Sequence, residues 1–191
     1  MTDLLSYVAT LDAEDRRSLP PVEKWHPANV GVIDIRIDSD GVWYHEGSPI
    51  KRARLAQLFS TILIREGNAH FLVTPVEKLE ITVDDVAFTV VLMDVENAGP
   101  DQVIRFTTNV GDIVLLDDDH CISIRNASDS NGDAPYIHVR RGLEARLTRA
   151  CAFELMSIAE QGSGDHMDHL GVMSAGVFFP LLQLAENDGV M

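Results

Sequence analysis

The sequence predicts an α+β protein in which a small N-terminal hairpin-plus-helix unit packs on a seven-stranded β-rich domain closed by a C-terminal helix. Short apolar runs bounded by turn residues fill the middle of the chain, a pattern typical of strands. Segments 49–66 and 143–160 instead repeat apolar residues at helical spacing, which predicts two helices.

The chain of 191 residues allows one domain or two small ones. We predict a helical arm and connector over 1–22, an α/β subdomain over 23–67, a β-rich domain with its helix over 68–161, and a linker with an apolar tail over 162–191. The apolar tail has no partner within itself, so we expect it to dock on this chain or on a second one.

The N-terminal part predicts an arm, a connector and a hairpin. Residues 1–17 have neither a basic start nor a long apolar run, so they indicate a short amphipathic helix and not a signal peptide. Three prolines make 18–27 an extended connector. Strands are predicted at 32–37 and 42–45, on either side of the turn 38–41.

The first helix has the clearest start in the chain. Ser48 suits the capping position, Pro49 suits the first helical position, and Gly67 can end the helix. A helix is therefore predicted from Pro49 to Glu66, with an apolar stripe of Leu55, Leu58, Phe59, Ile62 and Leu63.

Strand patterns then follow one another, each bounded by turn residues. The seven candidates are Phe71–Thr74, Lys78–Val83, Phe88–Glu96, Val103–Thr108, Asp112–Leu116, Cys121–Arg125 and Tyr136–Arg140. A second helix is predicted from Leu143 to about Glu160. Seven strands followed by one helix is the element order of a pleckstrin-homology-like barrel, a fold that hosts many functions.

A weak internal repeat indicates an internal duplication. Shifted by 92 positions, Tyr44 meets Tyr136, and the segment 53–55 meets 145–147. In both copies a strand with an aromatic residue runs into a helix through a basic junction. The two predicted helices are therefore expected to be equivalent elements.

The charge balance limits the classes of partner. A formal net charge of −15, from 30 acidic and 15 basic residues, disfavours nucleic acid and anionic membrane surfaces. The longest apolar run, 177–182, is too short to span a bilayer. Cys121 and Cys151 lie in apolar stretches, which predicts two buried thiols in a reducing compartment and hence a cytoplasmic protein. The alternative is a disulfide between them.

Basic residues concentrate at the two predicted helix starts. They are Lys51, Arg52 and Arg54 at the first helix, and Arg140, Arg141 and Arg146 at the second. Cations at a helix start are unfavourable because they lie at the positive end of the helix dipole. A bound anion would make the arrangement favourable, because it would accept hydrogen bonds from both the free N–H groups and the guanidinium groups. The alternative is that these side chains pair with carboxylates or extend into water.

A polar face on one strand offers further ligand contacts. Tyr136, His138 and Arg140 alternate, so they share a face, while Ile137 and Val139 take the other. If the apolar face packs inward, the polar face is exposed and can hold a phosphate and stack a ring. The alternative is an ordinary polar strand face.

Two turns provide the remaining candidates. Thr74, Glu77 and Lys78 either line a pocket beside the first helix or belong to a plain turn around Pro75. Asn109 either adds a polar contact or serves the turn that follows it.

Metal and catalytic motifs do not reach the required pattern. His166 and His169 lack a third ligand at a recognisable spacing, so neither a metal nor a cofactor is predicted. The segment 171–176 has one residue too many for a nucleophile elbow, and 162–164 lacks the later glycine of a dinucleotide fingerprint. No catalytic residue is therefore assigned.

Four segments together resemble a known family: 40–50, 71–78, 105–112 and 135–145. They are similar to the uncharacterised bacterial family labelled domain of unknown function 1285, from about Trp25 to Glu160. The resemblance implies a duplicated core, a C-terminal part similar to pleckstrin-homology folds, and a site between the two parts for a nucleotide-like ligand with a signalling role. Cys121 stands where this family resemblance leads us to expect proline.

Three functions remain open. The first is a small-ligand sensor or adaptor that binds an anionic ligand where the subdomains meet, through the basic junctions and His138. The second is an enzyme of unrecognised class with His138 as general base near Thr74 or Glu77. The third is a protein-interaction module that binds a partner, or a second copy, through the apolar tail.

Overall fold

The computed structural model describes residues 4, 6–7, 19–99, 101–128 and 132–184. The chain forms two compact units. The first runs to Ala87 and also includes Arg140–Leu143, and the second holds Phe88–Val139 and the chain from Glu144 onward. Most of the predicted helical arm lies outside the described residues, as do residues 185–191. Within the described part, no helix has the length and apolar character needed to cross a membrane.

The first unit is built around one mixed sheet of six strands, and its described residues Leu4, Ser6 and Tyr7 are helical. Its elements are the 3₁₀ turn η1 (Val22–Lys24), β1 (Asn29–Ile37), β2 (Trp43–His45), β3 (Ser48–Pro49), α1 (Ala53–Thr61), β4 (Leu63–Glu66), β5 (Ala69–Val73) and β6 (Glu77–Val83). The six strands lie in the order β3-β2-β1-β6-β5-β4. β1 and β6 pair in parallel, and the other neighbours pair antiparallel.

Helix α1 is shorter than the sequence predicted. The predicted start is wrong, because Ser48 and Pro49 form β3 and the helix begins at Ala53. The helix ends at Thr61, and Leu63–Glu66 of the predicted helix form β4. Leu63 is fully buried opposite Leu72 in the ladder with β5, so tertiary pairing overrides a helical spacing that fits both structures. Gly67, with φ of 60°, serves the β4–β5 turn and does not end the helix.

The second unit contains a mixed sheet of six strands and an antiparallel sheet of three. From Phe88 onward the elements are β7 (Phe88–Glu96), β8 (Val103–Thr108), β9 (Ile113–Leu115), β10 (Ile122–Asn126), β11 (Asp133–Arg140), β12 (Leu143–Leu147), α2 (Arg149–Ser157), β13 (Glu160–Gln161), the 3₁₀ turn η2 (Gly164–His166), β14 (His169–Ser174) and β15 (Val177–Gln183). The sheets have the orders β10-β11-β12-β7-β8-β9 and β13-β14-β15.

The predicted second helix is wrong in its first third. Residues Leu143–Leu147 form β12, with alternating burial, and pair in parallel with β7. Helix α2 begins at Arg149, where the Thr148 side chain caps it by accepting from the Cys151 N–H at 3.5 Å. Leucines four residues apart lie on one face of a helix and also on one face of a strand, so their spacing alone does not separate the two.

The seven predicted strands do not form one barrel. The first two correspond to β5 and β6 and lie in the sheet of the first unit, while the others, with β12, make the sheet of the second. Because β6 pairs in parallel with β1, the N-terminal unit is larger than a hairpin and a helix. Local patterns do not reveal such a long-range parallel pairing.

The two six-stranded sheets share one strand order. If β7 to β12 are counted as strands one to six of their sheet, their spatial order is the same as that of β1 to β6 in the first sheet. In both sheets the first and sixth strands pair in parallel. The predicted shift of 92 residues is wrong, because it aligns β2, the second strand of its sheet, with β11, the fifth strand of the other. The helices also differ in position, since α1 follows the third strand of its sheet and α2 follows the sixth. The shared order favours a duplication in which β1 corresponds to β7.

Candidate functional site

Arg140 and Arg141 lie at the C-terminal end of α1 and not at a helix start. Arg140 donates from Nη2 to the carbonyl of Ser60 at 3.0 Å, and Arg141 donates from Nη1 to that of Thr61 at 2.8 Å. The last carbonyls of a helix lack helical partners, and cations there match the dipole. The predicted dipole conflict at these two arginines is therefore wrong. Arg146 lies on β12, outside either helix.

The loop that joins β11 to β12 places the Arg141 side chain. Arg141 and Gly142 both have positive φ, 52° and 73°, as in the two-residue turns that fit twisted hairpins. The Arg141 guanidinium also donates to the Glu23 carboxylate and to the carbonyl of Pro20. Since this side chain is 12% exposed and fully engaged, its role is structural.

Glu23 shows the electrostatic effect of this contact. A backbone hydrogen bond, followed by the hydrogen bond and charge of Arg141, holds the pKa of Glu23 below its ordinary value, although partial desolvation opposes them. The carboxylate is therefore favoured in its ionised form beside the guanidinium.

The basic start of α1 faces solvent. Lys51, Arg52 and Arg54 are all exposed. Arg52 occupies the N-cap position without a side-chain cap, and the first turn contains no acidic residue. Anion binding at these residues stays a prediction, as does an anion-binding cleft shared by both predicted junctions.

The turn between β5 and β6 supports the structural interpretation of Thr74. Its buried hydroxyl accepts from the N–H groups of Glu77 at 3.0 Å and Val76 at 3.3 Å. Lys78 lies 4.3 Å from the ring centre of Phe71 and is paired with a carboxylate of β4. Glu77 is 5% exposed, and its Oε1 has no hydrogen-bond partner in the described part of the chain.

The prediction of an exposed Tyr-His-Arg face on β11 is wrong for its first member. Tyr136 is fully buried, and the Arg125 guanidinium lies 3.6 Å from its ring centre. Pro135, Tyr136 and Ile137 are consecutive and all buried, so both faces of β11 are covered at this point. His138 is half-buried, with Nδ1 3.1 Å from the backbone carbonyl of Asp119.

Asn109 is bonded to the start of β7. Its side-chain oxygen accepts from the Thr89 N–H at 3.2 Å, and its own N–H donates to the Thr89 carbonyl at 2.8 Å. This pair of bonds extends the pairing of β7 with β8 beyond Thr108, and a role of Asn109 in the following turn or in ligand binding stays a prediction.

A histidine pair lies near the start of β10. The rings of His120 and His138 are stacked with centres 6.0 Å apart, and His120 Nδ1 lies 2.9 Å from Asp117 Oδ1. Cys121 is exposed, so the prediction of a buried thiol is wrong there, whereas Cys151 is buried and both thiols are free. The Cys121 thiol donates to the carbonyl of Asp118 at 3.3 Å. Across 19–99, 101–128 and 132–184, no three His, Cys, Asp or Glu side chains are grouped to hold a metal ion.

The second unit contains a cleft that the sequence did not predict. Its volume is about 530 Å³, and its lining comes from the β7–β8 connection, the end of α2 and the three-stranded sheet. The polar and aromatic residues that line it include Gln102, Glu160, Gln161, Ser163, His166 and Phe178.

Two glycines shape the floor of this cleft. A Cβ on Gly171 would lie 2.3 Å from the carbonyl oxygen of Phe179 and 2.6 Å from the ring of Phe178. One on Gly162 would lie 2.4 Å from the carbonyl oxygen of His166. Only glycine fits at either position, so the backbone itself brings Phe178 to the cleft, where its ring centre is 5.1 Å from that of His166.

The three-stranded sheet is anchored to the rest of the second unit through Ser174. Its buried hydroxyl accepts from the Ile104 N–H at 3.0 Å and donates to the Leu116 carbonyl at 2.6 Å. Gln102 adds a bond from Nε2 to the Met173 carbonyl at 2.5 Å. The predicted flexible link and unpartnered tail are therefore folded up to Leu184. The sequence pattern that indicates this hairpin, and that our prediction missed, is a pair of apolar-rich runs on either side of Ala175-Gly176.

His169, one of the two histidines in this segment, contacts a carboxylate. Its Nδ1 lies 2.7 Å from Asp168 Oδ1, and this hydrogen bond is the main cause that lowers the pKa of Asp168. The rings of His166 and His169 meet edge to face with centres 6.4 Å apart. The arrangement is a local contact between neighbouring side chains.

Comparison with family models matches both halves of the chain. Residues 20–86 match the N-terminal domain of a domain of unknown function, DUF1285, and residues 87–181 match the C-terminal domain of the same family. The chain belongs to the DUF1285 family. The family resemblance of the four sequence segments is thereby confirmed.

Solved DUF1285 structures are similar to this chain. A family member from Silicibacter pomeroyi DSS-3 shares 40% identity over 94% of each chain, with a TM-score of 0.83. Another from Shewanella baltica OS155 shares 30% identity over 66% of this chain and 92% of that one, with a TM-score of 0.52. No curated protein matches.

Proposed function

We propose that this DUF1285 protein is a small-ligand-binding module, a sensor or adaptor, whose ligand occupies the cleft of the second unit. The observation that carries the proposal is a cleft of about 530 Å³ whose floor is set by glycine backbone. Small-molecule sites span roughly 300–1,000 Å³ and are usually preformed, and this cleft fits both conditions.

The arrangement of hydrogen bonds favours binding over catalysis. The Thr74 hydroxyl is engaged by backbone N–H groups, and His138 Nδ1 faces a backbone carbonyl. A nucleophile needs a base within hydrogen-bond reach, and neither side chain has such a partner among these contacts. An enzyme built on His138 with Thr74 or Glu77 is therefore the less favoured function.

A second candidate site follows from the exposed start of α1. Lys51 and Arg52 precede a helix whose first N–H groups have no side-chain cap and no acidic neighbour in the first turn. An anionic, nucleotide-like ligand would find backbone donors and positive charge there. This candidate retains the anionic ligand expected from the sequence.

We also infer that the second unit is a variant of the pleckstrin-homology-like fold, and that the protein acts in cytoplasmic signalling. Two runs of three consecutive neighbouring strands, β7-β8-β9 and β10-β11-β12, followed by α2 support the fold assignment. The family resemblance supports the signalling role, and the net charge of −15 suits a protein that avoids nucleic acid and anionic membrane.

A ligand screen on the full chain tests the proposal. We would record thermal shift and protein-observed NMR against a metabolite panel of cationic, neutral and anionic compounds. We expect hits for wild type that Phe178→Ala abolishes, because the ring lines the cleft. Phe153→Ala is the matched control, since Phe153 is 77% exposed on α2 outside the cleft. If no compound binds wild type, or Phe178→Ala binds as well, the proposal is wrong.

The same screen tests the second candidate. Combined replacement of Lys51 and Arg52 with Ala should abolish binding of anionic hits and leave cleft binders unchanged. Anion binding that survives this replacement would rule out the start of α1 as the site.

A further inference from the structure

The cleft of the second unit carries a carboxylate and no strong base. Glu160 lines it, and none of its lining residues is Lys or Arg. In the described part of the chain, the Glu160 carboxylate has no ion-pair or hydrogen-bond partner. Glu160 is exposed, so water solvates its carboxylate, and a ligand cation in the cleft would form a partly solvated ion pair with it.

Two neighbouring amides add polar groups to the lining. Gln161 donates from Nε2 to the Met167 carbonyl at 2.7 Å, and Gln102 donates from Nε2 to the Met173 carbonyl at 2.5 Å. Each NH₂ carries two N–H donors, so after its bond to the backbone each side chain keeps one N–H and its amide oxygen for a ligand. The two amide oxygens and the Glu160 carboxylate can accept from the N–H groups of a ligand.

An aromatic surface completes the site. Phe178 is half-buried over the two floor glycines, and the tilt between its ring and that of His166 is 32°. Aromatic rings favour offset or edge contacts with another ring, and their faces attract cations. The cleft thus offers ring contacts beside a carboxylate.

We propose that the cleft binds a planar ring compound that carries a protonated amine, an inference that rests on the proposed function of the cleft. The ring packs on Phe178, and the ammonium group pairs with Glu160. The charge of the whole chain acts in the same direction, since a net charge of −15 attracts cations and repels anions. This ligand class differs from the anionic ligand that the sequence predicted.

Three compounds with one ring and different charge test the ligand class. Tryptamine, tryptophol and indole-3-acetate are cationic, neutral and anionic at pH 7, and calorimetry on the full chain would give the affinity of each. We expect tryptamine to bind about fivefold more tightly than tryptophol, and indole-3-acetate to bind most weakly. The same comparison with phenethylamine and phenylacetate covers a smaller ring.

Two isosteric variants locate the charge effect. Glu160→Gln should remove the advantage of tryptamine and leave tryptophol binding unchanged. Glu154→Gln is the matched control, because Glu154 is an exposed residue of α2 outside the cleft lining. It should preserve the order of affinities.

The outcomes separate this inference from the proposed function. If the charged and neutral compounds bind equally, or if Glu160→Gln keeps the preference for tryptamine, the ligand class is wrong and the cleft can still be a binding site. If neither amine binds while other compounds bind in a Phe178-dependent way, the ligand class is again wrong. If no compound of any class binds, both proposals are wrong.

Discussion

The Arg141 guanidinium donates to the backbone carbonyl of Thr61 at 2.8 Å, although 80 residues separate the two in the chain. Thr61 is the last residue of α1, so its carbonyl lies where a helix has no partner of its own. Arg141, which the sequence placed just before the start of the second predicted helix, therefore supplies a hydrogen-bond donor to the C-terminal end of α1.

Replacing Arg141 with Ala should lower the free energy of unfolding by about 2 kcal/mol, because two backbone carbonyls and a carboxylate lose a charged donor. Urea unfolding of the full chain measures the change. Arg105→Ala is the control, since its ion pairs with Asp94 and Glu96 are partly exposed and should contribute less than about 1 kcal/mol. Equal effects of the two variants would contradict a special role for Arg141.

The Glu23 carboxylate should make stability depend on pH. The pKa of Glu23 in the folded state lies below its ordinary value of 4.5. The carboxylate therefore contributes to the free energy of unfolding above pH 4.5, and this contribution is lost as the pH falls through the folded-state pKa. Glu23→Gln should therefore reduce stability at neutral pH, and the difference from wild type should shrink in acid. Unfolding midpoints between pH 3 and 7 would show this. Arg141→Ala should weaken the dependence without removing it, because the backbone hydrogen bond is its first cause.

Ser174→Ala should lower the free energy of unfolding by about 1–3 kcal/mol, because it leaves the Ile104 N–H and the Leu116 carbonyl without their partner in a buried place. Ser157→Ala is the control, since this exposed hydroxyl donates only within α2. Hydrogen exchange should show faster exchange of the Ile104 amide in the first variant alone. Unchanged protection there would mean that Ser174 is not the anchor of the three-stranded sheet.

Gly171→Ala should destabilise the protein by more than about 2 kcal/mol, because the added Cβ would lie 2.3 Å from the Phe179 carbonyl oxygen. Gly132→Ala has open space and should stay within about 0.5 kcal/mol of wild type. Adding Phe178→Ala to Gly171→Ala should not restore stability, since the backbone clash remains. Thermal unfolding of the three variants would measure these differences in stability. If the double variant recovered the stability of wild type, the Phe178 ring and not the Phe179 carbonyl would be the group that clashes with the added Cβ.

Local structure was largely predictable where turn residues bound a strand pattern. The predicted strands 32–37 and 78–83 fall in β1 and β6, and 103–108 is β8. Their assembly into sheets was not predictable, because the parallel pairs join strands far apart in the chain. Nothing in a short segment encodes which distant strand lies beside it.

The candidate site was predictable only in part. The turn alternative for Thr74 follows from its residue type beside Pro75 and agrees with the hydrogen bonds observed, whereas the bonds of Asn109 are to Thr89 on the neighbouring strand. The roles of Arg140 and Arg141 depend on a carbonyl supplied by a distant helix. A charge pattern in sequence shows where cations are, and only tertiary structure shows which group each one meets.

The assignment of Arg140–Leu143 to the first unit has a consequence during protein synthesis. A nascent chain that has reached Ala87 holds all six strands of the first sheet but lacks these four residues. At roughly 5–20 residues per second, the ribosome needs about 3–11 s more to reach Leu143. Until then the carbonyls of Ser60 and Thr61 lack their guanidinium donors, so the N-terminal unit acquires these two bonds only after much of the C-terminal unit has been made.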